Sequence, residues 1–329
     1  MLPVKIAGLG WYLPERRVTN ADLEAQLGIP ADWIERVTGV QERRYATTET
    51  TLSMGAAASH IALKEAGLGV EDLDAIISAA TGVQQAIPCT AALMQRELNA
   101  PDGASACFDV NATCLSFLFA LQTAAYLIAA GIYRTVLIVS SEIVSSSLNP
   151  LERESAVLFG DAAAAAVVTH AGPGETSALW HSHFETHSSG ADLTQILGGG
   201  TLHHPNHPTT TPEMNTFHMR GIQVFKQAAL LSGPFLDRFL ARLEWNRRQI
   251  DAVVLHQASR HALEQLHTRL GFTVEQVVMN LTLRGNCVAA SIPLTLAEAV
   301  HNGRICRGDR VLLAGTGAGL TLGAIAITF

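Results

Sequence analysis

Apolar residues in this chain fall into short unbroken runs separated by longer stretches at helical spacing. That is the pattern of strands buried on both faces between packed helices. Val4 to Leu9 predicts a first strand, with Pro14 ending the loop after it. Asn20 to Gln26 predicts a short capped helix, and Trp33 to Gly39 leads into a polar loop at Gln41 to Arg44. Thr51 to Gly67 reads as a helix with a glycine stop, Leu73 to Ala79 as a buried strand, and Ile87-Pro88 as the start of a loop and helix reaching Asn99. The densest apolar stretch comes next. Ala106 to Val110 predicts a strand and Asn111 to Thr113 a turn. From Cys114 the chain stays almost wholly apolar until Gly131. Such a helix has no polar face, so it belongs inside a large protein. Tyr133 and Arg134 lead straight into another strand, Val136 to Ser140, which argues against a membrane span.

Asp161 to Val168 predicts a strand of very small residues, where a neighbour must approach the backbone closely. From residue 171 to 218 the composition turns to His, Thr, Pro and Gly, a loop-rich insertion with one strand at best. Regular alternation then resumes: a helix from Gly221 to Glu244, a strand from Ala252 to Leu255, a helix from His261 to Leu270, a loop carrying Asn286, a helix from Ile292 to His301, and strands from Arg310 to Ala314 and Thr321 to Thr328. Two segments recur half a chain apart. Leu73-Asp-Ala-Ile-Ile echoes Ile250-Asp-Ala-Val-Val, and Arg134-Thr-Val-Leu-Ile-Val echoes Asp309-Arg-Val-Leu-Leu-Ala. Two similar α/β halves, 1–170 and 171–329, are therefore expected to face one another.

The 329 residues are 48% hydrophobic and 16% charged with net charge -7, which suits an α/β enzyme and excludes a basic nucleic-acid surface. Cys89, Cys107, Cys114, Cys287 and Cys306 contain no Cys-x-x-Cys pair, so no disulfide framework or cysteine zinc site is expected and a reducing cytoplasm fits best. The strand-like start lacks the pattern of a secretory signal. The histidines near His203-His204-Pro205-Asn206-His207 show no helical spacing and no carboxylate set, so no metal is expected.

Cys114, placed at the first turn of a buried helix, meets unpaired N–H groups and the positive end of the dipole, which favour thiolate. Its bland alternative is a small core residue. His256 closes the strand Ala252 to Leu255, and Asn286 precedes a buried helix; strand closure and capping are their bland readings. Together they compose a Cys/His/Asn set in which a thiolate attacks a carbonyl and two polar groups manage charge. Gly315-Thr-Gly-Ala-Gly319 has too little chain after it for a dinucleotide-binding unit. Its glycines instead let backbone N–H groups approach a reacting oxygen.

Over essentially its whole length the chain resembles the thiolase-fold condensing enzymes, specifically the β-ketoacyl-ACP synthase III family. The resemblance rests on Asn20-Ala-Asp-Leu, Asp32-Trp-Ile, Thr38-Gly-Val, Phe108-Asp-Val with Cys114, Phe159-Gly-Asp161, Val224-Phe-Lys226, His256-Gln-Ala258, Gly285-Asn286 with Ala290-Ser-Ile-Pro293, and Gly317-Ala-Gly319. It implies an α/β thiolase fold of two duplicated halves in five αβαβα layers, and a homodimer. Acyl-CoA would load Cys114, with the N–H groups of Cys114 and Ala318 as oxyanion hole. A malonyl- or β-ketoacyl-type thioester on CoA or acyl carrier protein would then condense decarboxylatively, its oxygen held by His256 and Asn286. No cofactor would be permanently bound, and neither membrane nor nucleic acid would be a partner. Trp33 and Arg153 match the residues that sandwich the adenine of coenzyme A, and Phe159, Gly317 and Gly319 fall within matching substrate-binding stretches.

Departures from the family pattern bear on substrate. The arginine expected just before Thr38-Gly39 is displaced to Arg36, with Val37 in its place; Ser259 and His261 replace an asparagine and an arginine, and Ile222 replaces another asparagine. Ser259-Arg260 resembles a branch that joins two long acyl chains. Ile87 replaces the phenylalanine with which the partner subunit closes the acyl pocket, which predicts room for a medium or long chain. Fatty-acid or secondary-metabolite synthesis is implied. An acyltransferase delivering to oxygen or nitrogen, and a non-catalytic subunit of a condensing pair, are the alternatives.

Overall fold

The computed structural model describes residues 1–264 and 268–329. Up to His170 the chain forms β1 (Val4–Tyr12), β2 (Arg17–Thr19), α1 (Asn20–Leu27), α2 (Ala31–Thr38), β3 (Glu42–Arg44), α3 (Thr51–Ala66), β4 (Ala75–Ser78), α4 (Thr90–Glu97), β5 (Ala106–Asp109), α5 (Ser116–Ala129), β6 (Thr135–Glu142), α6 (Arg153–Ala156) and β7 (Ala162–His170). It continues with β8 (Ala178–Thr186), β9 (Thr194–Gln195), β10 (His218–Met219), α7 (Gly221–Leu243), β11 (Ala252–Leu255), α8 (Arg260–Leu270), β12 (Val277–Val278), α9 (Leu281–Arg284), α10 (Ser291–His301), β13 (Arg310–Gly317) and β14 (Thr321–Thr328).

Two five-stranded sheets, ordered β1-β7-β6-β4-β5 and β8-β14-β13-β11-β12, form the frame, beside the two-stranded pairs β2-β3 and β9-β10. In each, the last three strands are parallel and the first two join antiparallel, so one topology occurs twice. Successive strand residues face opposite sides. On β4, Ala75 and Ile77 enter a central core with α5 and α10, while Ile76 joins α3 and α4. On β11, Ala252 and Val254 enter that central core, whereas Val253 and Leu255 join α7 and α8. Five layers result: α3 and α4, a sheet, α5 and α10, the second sheet, and α7 and α8.

The all-alanine start of β7 has a packing reason. Ala163 and Ala165 lie against the α3 side, while Ala162 and Ala164 meet Cys287, Ala290 and Leu294 on the other. On the neighbouring β1, a Cβ at Gly8 or Gly10 would stand 2.1 Å from the carbonyl oxygen of Ala62 or Ala58, so α3 lies directly on the strand.

Two local expectations change. Glu42 to Arg44 is a strand paired with Arg17 to Thr19 rather than a polar loop. Arg43 is buried there, donating to Asn20 Oδ1 at 2.7 Å and to the Val157 carbonyl at 2.6 Å, so its charge is met by partners distant in sequence. The segment 171–218 contains more than the one strand expected: nine-residue β8 completes the second sheet, and the two-residue strands β9 and β10 pair with each other. Among the described residues no helix is long and apolar enough to cross a membrane.

Candidate active site

The nucleophile candidate sits on a tight turn between β5 and α5. Thr113 takes φ 52°, a left-handed conformation uncommon for a β-branched residue. Ser116 secures the turn, its hydroxyl accepting from Ala112 N–H at 3.0 Å and donating to the Thr113 carbonyl at 2.7 Å. Helix α5 begins at Ser116, so Cys114 precedes it instead of occupying its first turn. The partly buried Cys114 packs against the apolar cluster of α7 and α8.

Its thiol is pushed up to about 12, foremost by burial and next by the carboxyl of Glu142. The N–H groups of Cys114 and Ala318 lie close enough to the sulfur to pull the other way. Desolvation therefore overrides the helix-start effect that local sequence suggests, and the resting group is a thiol. Gly317 permits the approach of the Ala318 turn. A Cβ there would lie 2.8 Å from Thr113 Oγ1 and 3.2 Å from the Ala112 carbonyl. Gly319 closes the same turn at φ 137°, a conformation that L side chains rarely adopt.

His256 follows β11 and its N–H donates to the Ala314 carbonyl of β13 at 2.9 Å. Gly315 separates it from the nucleophile turn by one residue's width, since a Cβ there would meet His256 Cβ at 2.6 Å and Leu115 Cδ2 at 3.2 Å. Burial lowers the imidazole to about 4, so the ring is neutral at pH 7. Nδ1 is buried without a hydrogen-bond partner among the described residues, which leaves Nε2–H as the natural donor.

Asn286 is buried and pinned across the molecule. Its N–H donates to the Leu158 carbonyl at 3.0 Å, and its own carbonyl accepts from Gly160 N–H at 3.1 Å. Its Oδ1 accepts from Val288 N–H at 2.9 Å, so the amide NH2 is the end free to donate to a substrate. Phe159, between the two anchoring residues, is buried and meets Phe217 edge-on at 4.7 Å.

Glu142 and Gln257 belong to this assembly and were not anticipated from sequence. Glu142 closes β6, is 2% exposed, and accepts from Thr81 N–H at 2.6 Å and Gly82 N–H at 3.0 Å. A further N–H from Ala289 reaches it, three residues beyond Asn286, and burial pushes its carboxyl up to about 7. A carboxylate ending an apolar strand is the signal that could have found it. Gln257 is fully buried; its Nε2 donates to the Leu255 carbonyl at 2.8 Å and its Oε1 accepts from Asn280 N–H at 3.2 Å, which fixes the loop beyond His256.

The remaining candidates lie around this centre. Arg153 stacks over Trp33, with Cζ 4.9 Å from the ring centroid. Arg36 is exposed and pairs with Asp32 at 3.8 Å. Ser259 Oγ accepts from Ala262 N–H at 3.2 Å at the start of α8, and Arg260 turns inward to the Gly39 carbonyl at 3.1 Å. Ile87 is 82% exposed.

Residues 108–188 match the family 3-oxoacyl-(acyl-carrier-protein) synthase III, and residues 240–329 match its C-terminal family. A β-ketoacyl-(acyl-carrier-protein) synthase III of Desulfitobacterium hafniense strain Y51 is 36% identical over 99% of this chain and 98% of its own. The crystal structure of the 3-oxoacyl-(acyl-carrier-protein) synthase III of Aquifex aeolicus VF5 superposes with a TM-score of 0.89 at 34% identity, covering 99% of this chain and 100% of that one. The priming β-ketosynthase of the R1128 polyketide pathway gives 0.90 at 28% identity, covering 98% and 95%.

Proposed function

The chain belongs to the 3-oxoacyl-(acyl-carrier-protein) synthase III family, and from that premise we propose how its own residues divide the work. The enzyme is a thiolase-fold, carbon–carbon bond-forming acyltransferase that condenses acyl thioesters. In our reading Cys114 Sγ attacks the carbonyl carbon of an acyl-CoA. The bond from that carbon to the CoA sulfur breaks, and the thiol proton leaves with CoA. The N–H groups of Cys114 and Ala318 stabilise the oxyanion between these events.

A malonyl-type donor on carrier protein or CoA then enters. Its thioester oxygen accepts from His256 Nε2–H and Asn286 Nδ2–H. Carbon dioxide departs, leaving its electron pair on the α-carbon, and the enolate attacks acyl-Cys114 and expels the thiolate. A neutral imidazole suits this work, because it donates without lending its proton to the carboxylate that must leave. The observation that carries the proposal is the convergence of two backbone N–H groups on the Cys114 sulfur, with a buried neutral histidine one glycine away.

Trp33 and Arg153 would hold the adenine of CoA. Arg36, Phe159, Ser259, Gly317 and Gly319 would line its path, and Ile87 would close the acyl pocket of a partner subunit in a homodimer. The enzyme would need no resident cofactor and would work in the cytoplasm. We further assign 1–170 and 171–329 as its two halves.

Intact-mass spectrometry with a panel of acyl-CoAs tests the proposal. Wild type should gain one acyl mass with a clear length preference and Cys114→Ala none; adding malonyl-CoA should then release the acyl group as a β-keto product. Acylation followed by transfer only to oxygen or nitrogen nucleophiles would leave an acyltransferase. No acylation at all would leave a non-catalytic partner subunit.

A further inference from the structure

A cavity of about 50 Å³ lies between the α7/α8 layer and the second sheet, with His256 and Gly315 in its wall. Its apolar lining includes Leu236 of α7, Leu263 of α8, Leu312 of β13 and Leu322 of β14. The polar side chains in the wall, besides His256, are Ser232 and Thr316, and the Ser232 hydroxyl is spent on the Ala228 carbonyl of its own helix. No charged side chain lines it among the described residues. Cys114 packs against the same apolar cluster without lining the cavity itself.

A space of this size holds about three or four carbon-sized groups, too few for a long chain and more than a lone water needs. No side chain fills this space beside the histidine, so it can take an occupant. Resting on the reading that His256 grips the oxygen of the donor thioester, the donor's α-carbon would stand two bonds from that oxygen, within reach of the cavity that His256 helps to line. We infer that the cavity receives a short alkyl branch on that α-carbon, so the enzyme accepts 2-alkylmalonyl thioesters, with a branch of about two to four carbons, beside malonyl itself. The reaction remains balanced. In the 2-alkylmalonyl thioester the bond to the carboxylate breaks and its electron pair stays on the substituted α-carbon. That carbon bonds to the acyl carbon, the acyl–sulfur bond breaks, and the products are a 2-alkyl-3-oxoacyl thioester, carbon dioxide and the Cys114 thiolate, which takes a proton from solvent.

The test loads wild-type enzyme with its preferred acyl-CoA, confirms acyl-Cys114 by mass, and offers malonyl-CoA, methylmalonyl-CoA and ethylmalonyl-CoA in parallel, with products read by mass spectrometry. Ethylmalonyl-CoA should give the branched product at no less than about a tenth of the malonyl rate. Ala262→Leu, which adds volume to the wall, should lower the ethylmalonyl-to-malonyl rate ratio at least about tenfold, the discrimination a few buried methyl or methylene groups command. Leu263→Ala should move the ratio the other way, and so keeps the inference testable if the filled variant folds poorly. A loaded wild type that uses malonyl-CoA but neither branched donor overturns the inference while leaving the condensing reading intact. So does a filled variant whose donor ratio is unchanged but whose loaded acyl chain shortens. Failure of wild type to load Cys114 removes the underlying reading as well.

Discussion

Cys114 rests as a thiol because its sulfur is desolvated and faces the Glu142 carboxyl, two effects that outweigh the N–H groups of Cys114 and Ala318. In the proposed reaction the departing CoA sulfur therefore carries that proton away, and the same N–H pair would meet the oxyanion. Glu142, held near 7, is ionised at alkaline pH. Glu142→Gln removes that charge, so the Cys114 thiol should ionise more readily. Iodoacetamide labelling at pH 9, followed on the Cys114 peptide, should rise between about two- and tenfold, each pKa unit being worth tenfold in thiolate. Unchanged or slower labelling would show that the carboxyl does not govern the thiol.

Among the elements, β1 and β7 are shaped by what lies on them. Alanines and glycines there let α3 rest on the strands with no side chain between, and the Cα–carbonyl approach at Gly10 leaves no space for a methyl group. Gly10→Ala should cost about 3 kcal/mol or more, the upper range of overpacking, because the clash is with backbone that cannot swing aside. Gly28→Ala, in the open left-handed C-cap of α1 with nothing within 4 Å, should cost only about 1 kcal/mol. Urea midpoints of both variants check the difference; equal losses would mean that α3 shifts to accommodate the methyl.

For the whole molecule, two buried groups near the site set opposing pH dependences. His256 falls from 6.5 to about 4 on folding, so below pH 6.5 the unfolded chain takes the proton first and stability is lost as pH falls toward 4. Glu142 rises from 4.5 to about 7, so its contribution runs the other way: stability is lost as pH rises from 4.5 to 7. In His256→Asn only the second remains. Relative to wild type, that variant should gain up to about 2–3 kcal/mol between pH 7 and pH 4.5. Denaturant unfolding at the two pH values measures it, and parallel shifts of both proteins would mean that the folded site admits a charged imidazole.

The architecture was legible because its signals are local. Apolar runs, glycine stops and the recurrence of Leu73-Asp-Ala with Ile250-Asp-Ala announce buried strands and helices wherever they stand in the chain. Cys114, His256 and Asn286 were legible as candidates for the same reason, each lying at the edge of such a run. What required the tertiary structure were matters fixed by groups far apart in sequence. The Glu42–Arg44 strand exists because Asn20 and the Val157 carbonyl receive Arg43. Asn286 is held by Leu158 and Gly160. The protonation of Cys114 went against its local signal, since the dipole of an adjacent helix acts through neighbouring residues, whereas desolvation comes from the walls that the rest of the chain builds around the sulfur.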